Sequence, residues 1–141
     1  MFESVKRYKS VLPVIGLLLL MVLVSACGPK QTSIDANLST YKIDMAQTSA
    51  PAGDITFKVK NNATDMVHEF VIFKTDLDAA QLPVDSDGNV IEDQLQKVDE
   101  VELEAGKSQD LKVNLAKGHY AIVCNQPGHY KQGMYVNFTA Q

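Results

Sequence analysis

Cys124, His129 and Met134 stand in the stretch CNQPGHYKQGM at a spacing of C-x4-H-x4-M. A thiol, an imidazole and a thioether are soft to intermediate ligands, a set that suits copper in both of its oxidation states. An oxygen-seeking ion would want carboxylates, and zinc more typically takes another Cys or His than a Met. Pro127 stiffens the loop while Gly128 and Gly133 let its backbone come close, so three ligands from one turn can converge. A trigonal site of two His and one Cys with a weak axial Met still needs an imidazole from elsewhere. His68 ends the polar connection NNATDMV at the mouth of a strand. His119 lies five residues before Cys124 on one alternating strand, which puts it on the opposite face and far down the strand. His68 is therefore the expected ligand, and His119 is expected to face solvent. The metal set is His68, Cys124, His129 and Met134, around one copper ion.

The elements that must hold these residues read as strands. Tyr41, Ile43 and Met45 alternate with polar residues; PAGD makes a turn; Ile55, Phe57 and Val59 alternate again. Phe70 to Phe73 form a continuous apolar run, as in a strand buried on both faces. Leu111, Val113 and Leu115 follow, then a turn at Lys117-Gly118, then Tyr120, Ile122 and Cys124, and finally Val136, Phe138 and Ala140. Short strands, turn residues between them and no long helical period predict an all-β sandwich or barrel over residues 41–141. An acidic insert at about 76–100 interrupts the rhythm between the middle strands. Its Asp85-Ser86-Asp87-Gly88-Asn89 lacks the glycine position and the glutamate of a calcium loop and reads as a hairpin turn. A short helix is expected at Glu92 to Lys97.

The first residues read as an address. Lys6, Arg7 and Lys9 precede the apolar run VLPVIGLLLLMVLVSA, which ends in small residues before Cys27. This is a secretory signal over residues 1–26, and Val24-Ser25-Ala26-Cys27 resembles the lipobox of bacterial lipoproteins, whose cysteine is acylated. The expected product is an extracytoplasmic lipoprotein anchored at Cys27, on the cell surface or the periplasmic side, with residues 27–40 as a flexible tether. Cys124 then has no disulfide partner in an oxidising compartment, a liability unless something holds it. Removal of residues 1–26 leaves 10 bases against 16 acids, a net charge of −6. Ten of the acids lie between residues 76 and 104, where Lys97 is the single base. No basic stripe exists to neutralise phosphates, so nucleic acid is not an expected partner.

GHYAIVCNQPGHYKQGM resembles the C-terminal copper loop of the cupredoxins, the small blue-copper proteins, with a spacing similar to that of the rusticyanin and sulfocyanin types. PAGDITFKVKNN followed by His68 is similar to the cupredoxin strand and loop that donate the first histidine. The resemblance implies an eight-stranded Greek-key sandwich, one mononuclear copper and one-electron transfer. It implies His68, Cys124 and His129 as strong equatorial ligands and Met134 as the axial one. Glu69 departs from the family's pattern, because many cupredoxins have an asparagine there that ties the two ligand loops together. A binuclear centre would need two cysteines in the loop, and this one supplies only Cys124. Four protein ligands leave no open position for a substrate, so a carrier follows more naturally than an enzyme. Its expected partners are redox proteins such as a cytochrome or a respiratory complex. The alternative is an extracytoplasmic copper chaperone or store that uses the same residues to hold and release Cu(I).

Overall fold

The computed structural model describes residues 31–141; the expected signal segment, the lipobox and Cys27 lie outside the described residues. Nine strands run in order: β1 Thr32–Ser39, β2 Lys42–Met45, β3 Ser49–Ala50, β4 Gly53–Asn61, β5 His68–Lys74, β6 Gln96–Leu103, β7 Ser108–Leu115, β8 Gly118–Val123 and β9 Tyr135–Ala140. They form a four-stranded sheet in the order β2-β1-β4-β7 and a five-stranded sheet in the order β3-β9-β8-β5-β6. β1 pairs with β4, and β3 with β9, in parallel; the other pairings are antiparallel. The chain crosses between sheets from β2 to β3, from β3 to β4, from β4 to β5, from β6 to β7 and from β7 to β8, which gives a Greek-key β-sandwich. The ninth strand, beyond the expected eight, is the two-residue β3.

Strand alternation puts one face of each sheet inside. Ile34, Ala36 and Leu38 of β1, Ile55, Phe57 and Val59 of β4, Phe70 and Ile72 of β5, Leu111, Val113 and Leu115 of β7, and Tyr120 and Ile122 of β8 make one continuous core. Phe57 anchors it between the sheets, its ring 5.4 Å from both Phe70 and Phe138.

Three sequence expectations change. Residues 32–39 are a strand and not a tether: Ile34, Ala36 and Leu38 are buried against β4, with Ile34 opposite Phe57 and Ala36 opposite Val59. The period of two was present, but Ala36 is a weak apolar marker and Asp35 and Asn37 lie between, so the pattern reads as polar. The domain thus begins by Thr32, and Tyr41 sits in the turn between β1 and β2 with a positive φ of 54° rather than in a strand. The helix expected at Glu92 to Lys97 is a single 3-10 turn at Glu92–Gln94, followed directly by β6. β6 carries little strand signal in the sequence, because a bulge facing Ile72 and Phe73 breaks its alternation around Val98 and its solvent face is acidic.

The remainder of the insert is packed. Ala79, Leu82 and Val90 lie on the outer face of the five-stranded sheet against Val71, Phe73, Ala121 and Val123, which is why the run Phe70 to Phe73 is apolar on both sides. The expected turn at Asp85–Asn89 is present: the Asp85 carboxylate accepts from the N–H groups of Asp87 and Asn89, and Val84 bridges Val90.

Because β1 fills the middle of its sheet, between β2 and β4, the chain from residue 31 is expected to unfold cooperatively in denaturant, while a chain that begins at residue 41 loses that transition. A cooperative transition in the shorter chain would show that β1 is dispensable.

Candidate metal centre

Strand pairing brings two of the expected ligands to one place. His68 is the first residue of β5 and Cys124 follows the last residue of β8. These strands are antiparallel with Val71 opposite Val123, so His68 and Cys124 arrive at the same end of the sheet. Both alternate with inward residues, His68 with Phe70 and Ile72, and Cys124 with Ile122 and Tyr120, so both point into the sandwich. The loop then returns on itself. Its ends are closed by the Cys124 N–H donating to the Met134 carbonyl at 3.0 Å, and its turn by the His129 N–H donating to the Gln126 carbonyl at 2.9 Å. Gly133, with φ at 93°, makes the left-handed step that ends the short turn after His129. His68, Cys124 and Met134 are fully buried, and His129 is partly exposed. His119 is on the opposite face, as expected, but it is partly buried rather than open to solvent, with Nδ1 2.7 Å from the Thr75 carbonyl.

The ligand atoms of His68, Cys124 and His129 lie within 4.8 Å of one another. Nδ1 of His68 is 3.2 Å from Nδ1 of His129, and Sγ of Cys124 is 3.2 Å from His129 Nδ1 and 3.8 Å from His68 Nδ1. A triangle with these sides has its centre about 2.0 Å from each corner, a coordination-bond distance for a first-row metal ion on nitrogen and slightly short of one on sulfur. Two imidazole nitrogens and a sulfur facing each other in a largely buried site present lone pairs to a common point, and a cation there satisfies all three at once. The donor set, soft sulfur with imidazole, fits copper.

A family model for the sulfocyanin (SoxE) domain matches residues 16–141. The chain belongs to the sulfocyanin family of blue-copper cupredoxins. Members of this family bind one copper, and His68, Cys124, His129 and Met134 are arranged here as a copper site. The fold is similar to that of reduced auracyanin from the photosynthetic bacterium Roseiflexus castenholzii, at 25% identity and a TM-score of 0.62, over 79% of this chain and 98% of that one. Auracyanin A, a "blue" copper protein from Chloroflexus aurantiacus, is similar at 18% identity and a TM-score of 0.51, over 77% of this chain and 99% of that one. Rusticyanin from Thiobacillus ferrooxidans is similar at 15% identity and a TM-score of 0.63, over 81% of this chain and 79% of that one. Among curated proteins none matches.

Around this sulfocyanin centre the departure at Glu69 is resolved by other groups. The Glu69 backbone N–H points at Cys124 Sγ at 3.3 Å, a contact any residue at this position supplies. Its side chain ties the two ligand loops by another route, accepting from Gln126 Nε2 at 2.9 Å. The same Gln126 amide donates to Glu102 at 2.8 Å, and so bridges two carboxylates that stand opposite each other on β5 and β6. Burial, with Glu102 next in weight, raises the Glu69 pKa. Tyr41 covers one side of His129, edge-on with ring centres 5.2 Å apart. Neither Gln126 nor Tyr41 is visible as a site residue in the sequence, because a glutamine in a loop and a tyrosine in a turn carry no spacing signal. Nε2 of His68 is buried without a hydrogen-bond partner among the described residues, so packing and Nδ1 alone orient that ring.

Burial, and the His129 ring beside it, lower the pKa of His68, and burial lowers that of His129. Burial pushes the Cys124 thiol up to about 11, against the pull of the Glu69 and Gln126 N–H groups. All three ligands are thus neutral near pH 7, and metal uptake must displace the thiol proton. Release of about one proton per copper at pH 7.5 is expected in a weakly buffered titration, with affinity rising roughly tenfold per pH unit up to pH 9. The metal-free fold loses stability as pH falls below the ordinary histidine value of 6.5, because its histidines resist charging. It also loses stability as pH rises above the ordinary thiol value of 9.0 towards 11, because its thiol resists ionising. Uptake without proton release, or denaturation midpoints that do not change with pH, would contradict this.

Proposed function

We propose that the protein is a membrane-anchored, mononuclear blue-copper electron carrier, with His68, Cys124 and His129 as strong ligands and Met134 as the weak axial one. The observation that carries the reading is the convergence of two Nδ1 atoms and one Sγ, within 3.2 to 3.8 Å of each other, at the closed end of a sandwich. Copper bound there supplies a reversible one-electron couple. The chain's own residues keep the ligands where they are, exclude water and leave one edge accessible. Two neighbouring strands of one sheet hold His68 and Cys124 at their ends, so neither can follow the different geometries that the two oxidation states prefer. The buried positions of His68, Cys124 and Met134 disfavour the chaperone or store, which has to pass its ion to another protein.

His129 is the least buried of these residues, with Pro127 and Tyr41 beside it, and its outer edge is the proposed route for electrons. Glu69, Glu100 and Glu102 flank that end on β5 and β6, and they would steer a basic partner such as a cytochrome or respiratory complex in a salt-dependent way. Attachment rests on the signal segment and on acylation of Cys27, which put the carrier on the extracytoplasmic side. Among the described residues no helix is long and apolar enough to cross a membrane. Because β1 begins at Thr32, residues 32–39 belong to the sandwich and not to the tether. β1 runs from Thr32 towards Tyr41, which packs on His129, so Thr32 lies about 25 Å of strand from that end of the sandwich.

The protein from residue 28, loaded with Cu(II), is expected to show an intense absorption band near the red end of the visible spectrum that disappears reversibly on reduction. Cys124→Ser should bind copper more weakly and lose the colour. Identical spectra in the variant would refute the sulfur ligand, and a colourless wild-type protein that binds only Cu(I) would favour the store.

A further inference from the structure

We infer that residues 75–95 are an outer brace for the ligand loop, and that Asn125 is the positioning residue through which the brace holds the metal centre in shape. This deepens the electron-carrier reading and rests on it. Asn125 directly follows Cys124, and its amide is committed to the brace. Oδ1 accepts from the Val90 N–H at 2.7 Å, while Nδ2 donates to the Val90 carbonyl at 3.1 Å and to Glu92 at 2.9 Å. The neighbours of His129 are held on both sides. The Gly128 N–H donates to Asn89 Oδ1 at 3.0 Å, and the Tyr130 hydroxyl accepts from the Leu82 N–H and donates to the Ala79 carbonyl.

The brace is itself fixed. Ala79, Leu82 and Val90 are buried on the outer face of the five-stranded sheet, and the Asp85 turn locks Asn89 through its N–H and carbonyl. The His129 ring, by contrast, meets among the described residues the rings of Tyr41 and His68 and the Cys124 sulfur, and no side chain of the brace. Where those contacts meet the ring is set by the path of the loop at residues 128 to 130, which is pinned from outside through the Gly128 N–H and the Tyr130 hydroxyl. A carrier works with little reorganisation only if both oxidation states share one ligand frame, and groups outside the ligand shell set that frame. Without the Asn125 amide, Val90 loses both its partners and the loop can relax differently in each state.

The test compares copper-loaded Asn125→Ala with Asn137→Ala. Asn137, on β9, holds the same segment at Ala79 and Asp78 but is not on the ligand loop. Asn125→Ala is expected to keep one copper, to change the ratio of the sulfur-to-copper absorption bands and the copper hyperfine splitting, and to lower electron self-exchange on the order of tenfold. Asn137→Ala should lower stability and leave spectra and exchange as in the wild type. In the metal-free protein the Gly128 amide should exchange hydrogen faster in Asn125→Ala than in Asn137→Ala. Should Asn125→Ala not fold, Asn89→Ala, which removes the Gly128 bond, serves with the same expectations. Unchanged spectra and self-exchange in Asn125→Ala, or equal changes in Asn137→Ala, would overturn the brace. If the wild type shows no blue band, the carrier reading fails instead, and the Gly128 amide alone decides whether the brace exists.

Discussion

Two imidazoles and a thiol are held at 3.2 to 3.8 Å from each other in a largely buried site, and this crowding is the constraint on which the rest of the structure depends. Left to themselves, such groups would turn outward or hydrate. They stay because each is fixed by something that cannot easily move: His68 by the start of β5, Cys124 by the end of β8, and His129 by a loop tied at both ends. The sandwich core, built around Phe57, Phe70 and Phe138, is what makes the strand ends stiff. Burial also keeps all three groups neutral without metal: the two imidazoles resist taking up a proton, and the thiol keeps its own until a cation displaces it.

Metal-centre stiffness comes from both faces of one sheet. Inside, the main core supports His68 and Cys124. Outside, the segment between β5 and β6 covers Val71, Phe73 and Val123 and reaches the ligand loop through Asn89, Val90 and Leu82. An acidic insertion is thereby part of the scaffold, while Glu100 and Glu102 of β6 stay on the surface at the His68 end, near the edge where a partner would approach.

Much of this was legible in the residues. C-x4-H-x4-M and a histidine at a strand mouth identified the residues that converge, because a thiol, an imidazole and a thioether crowded into one loop suit a soft metal far better than they suit packing. Alternation located most strands and separated His119 from Cys124 by face. What stayed hidden has physical causes. β1 alternates through Ala36, too small to stand out, and takes its burial from parallel pairing with β4, a long-range contact. β6 is bulged and acidic. Tyr41 lies in a turn at positive φ, and Gln126 and Asn125 act through side-chain amides whose partners, Glu69, Val90 and Glu92, are distant in sequence. Hydrogen bonds of that kind leave no periodic trace.

The most direct measurement is X-ray absorption at the copper edge of the loaded protein, oxidised and reduced. One sulfur and two nitrogen neighbours are expected in both states, with distances that differ by less than about 0.2 Å. Loss of the sulfur, or departure of a nitrogen on reduction, would contradict a ligand frame that the β scaffold holds fixed.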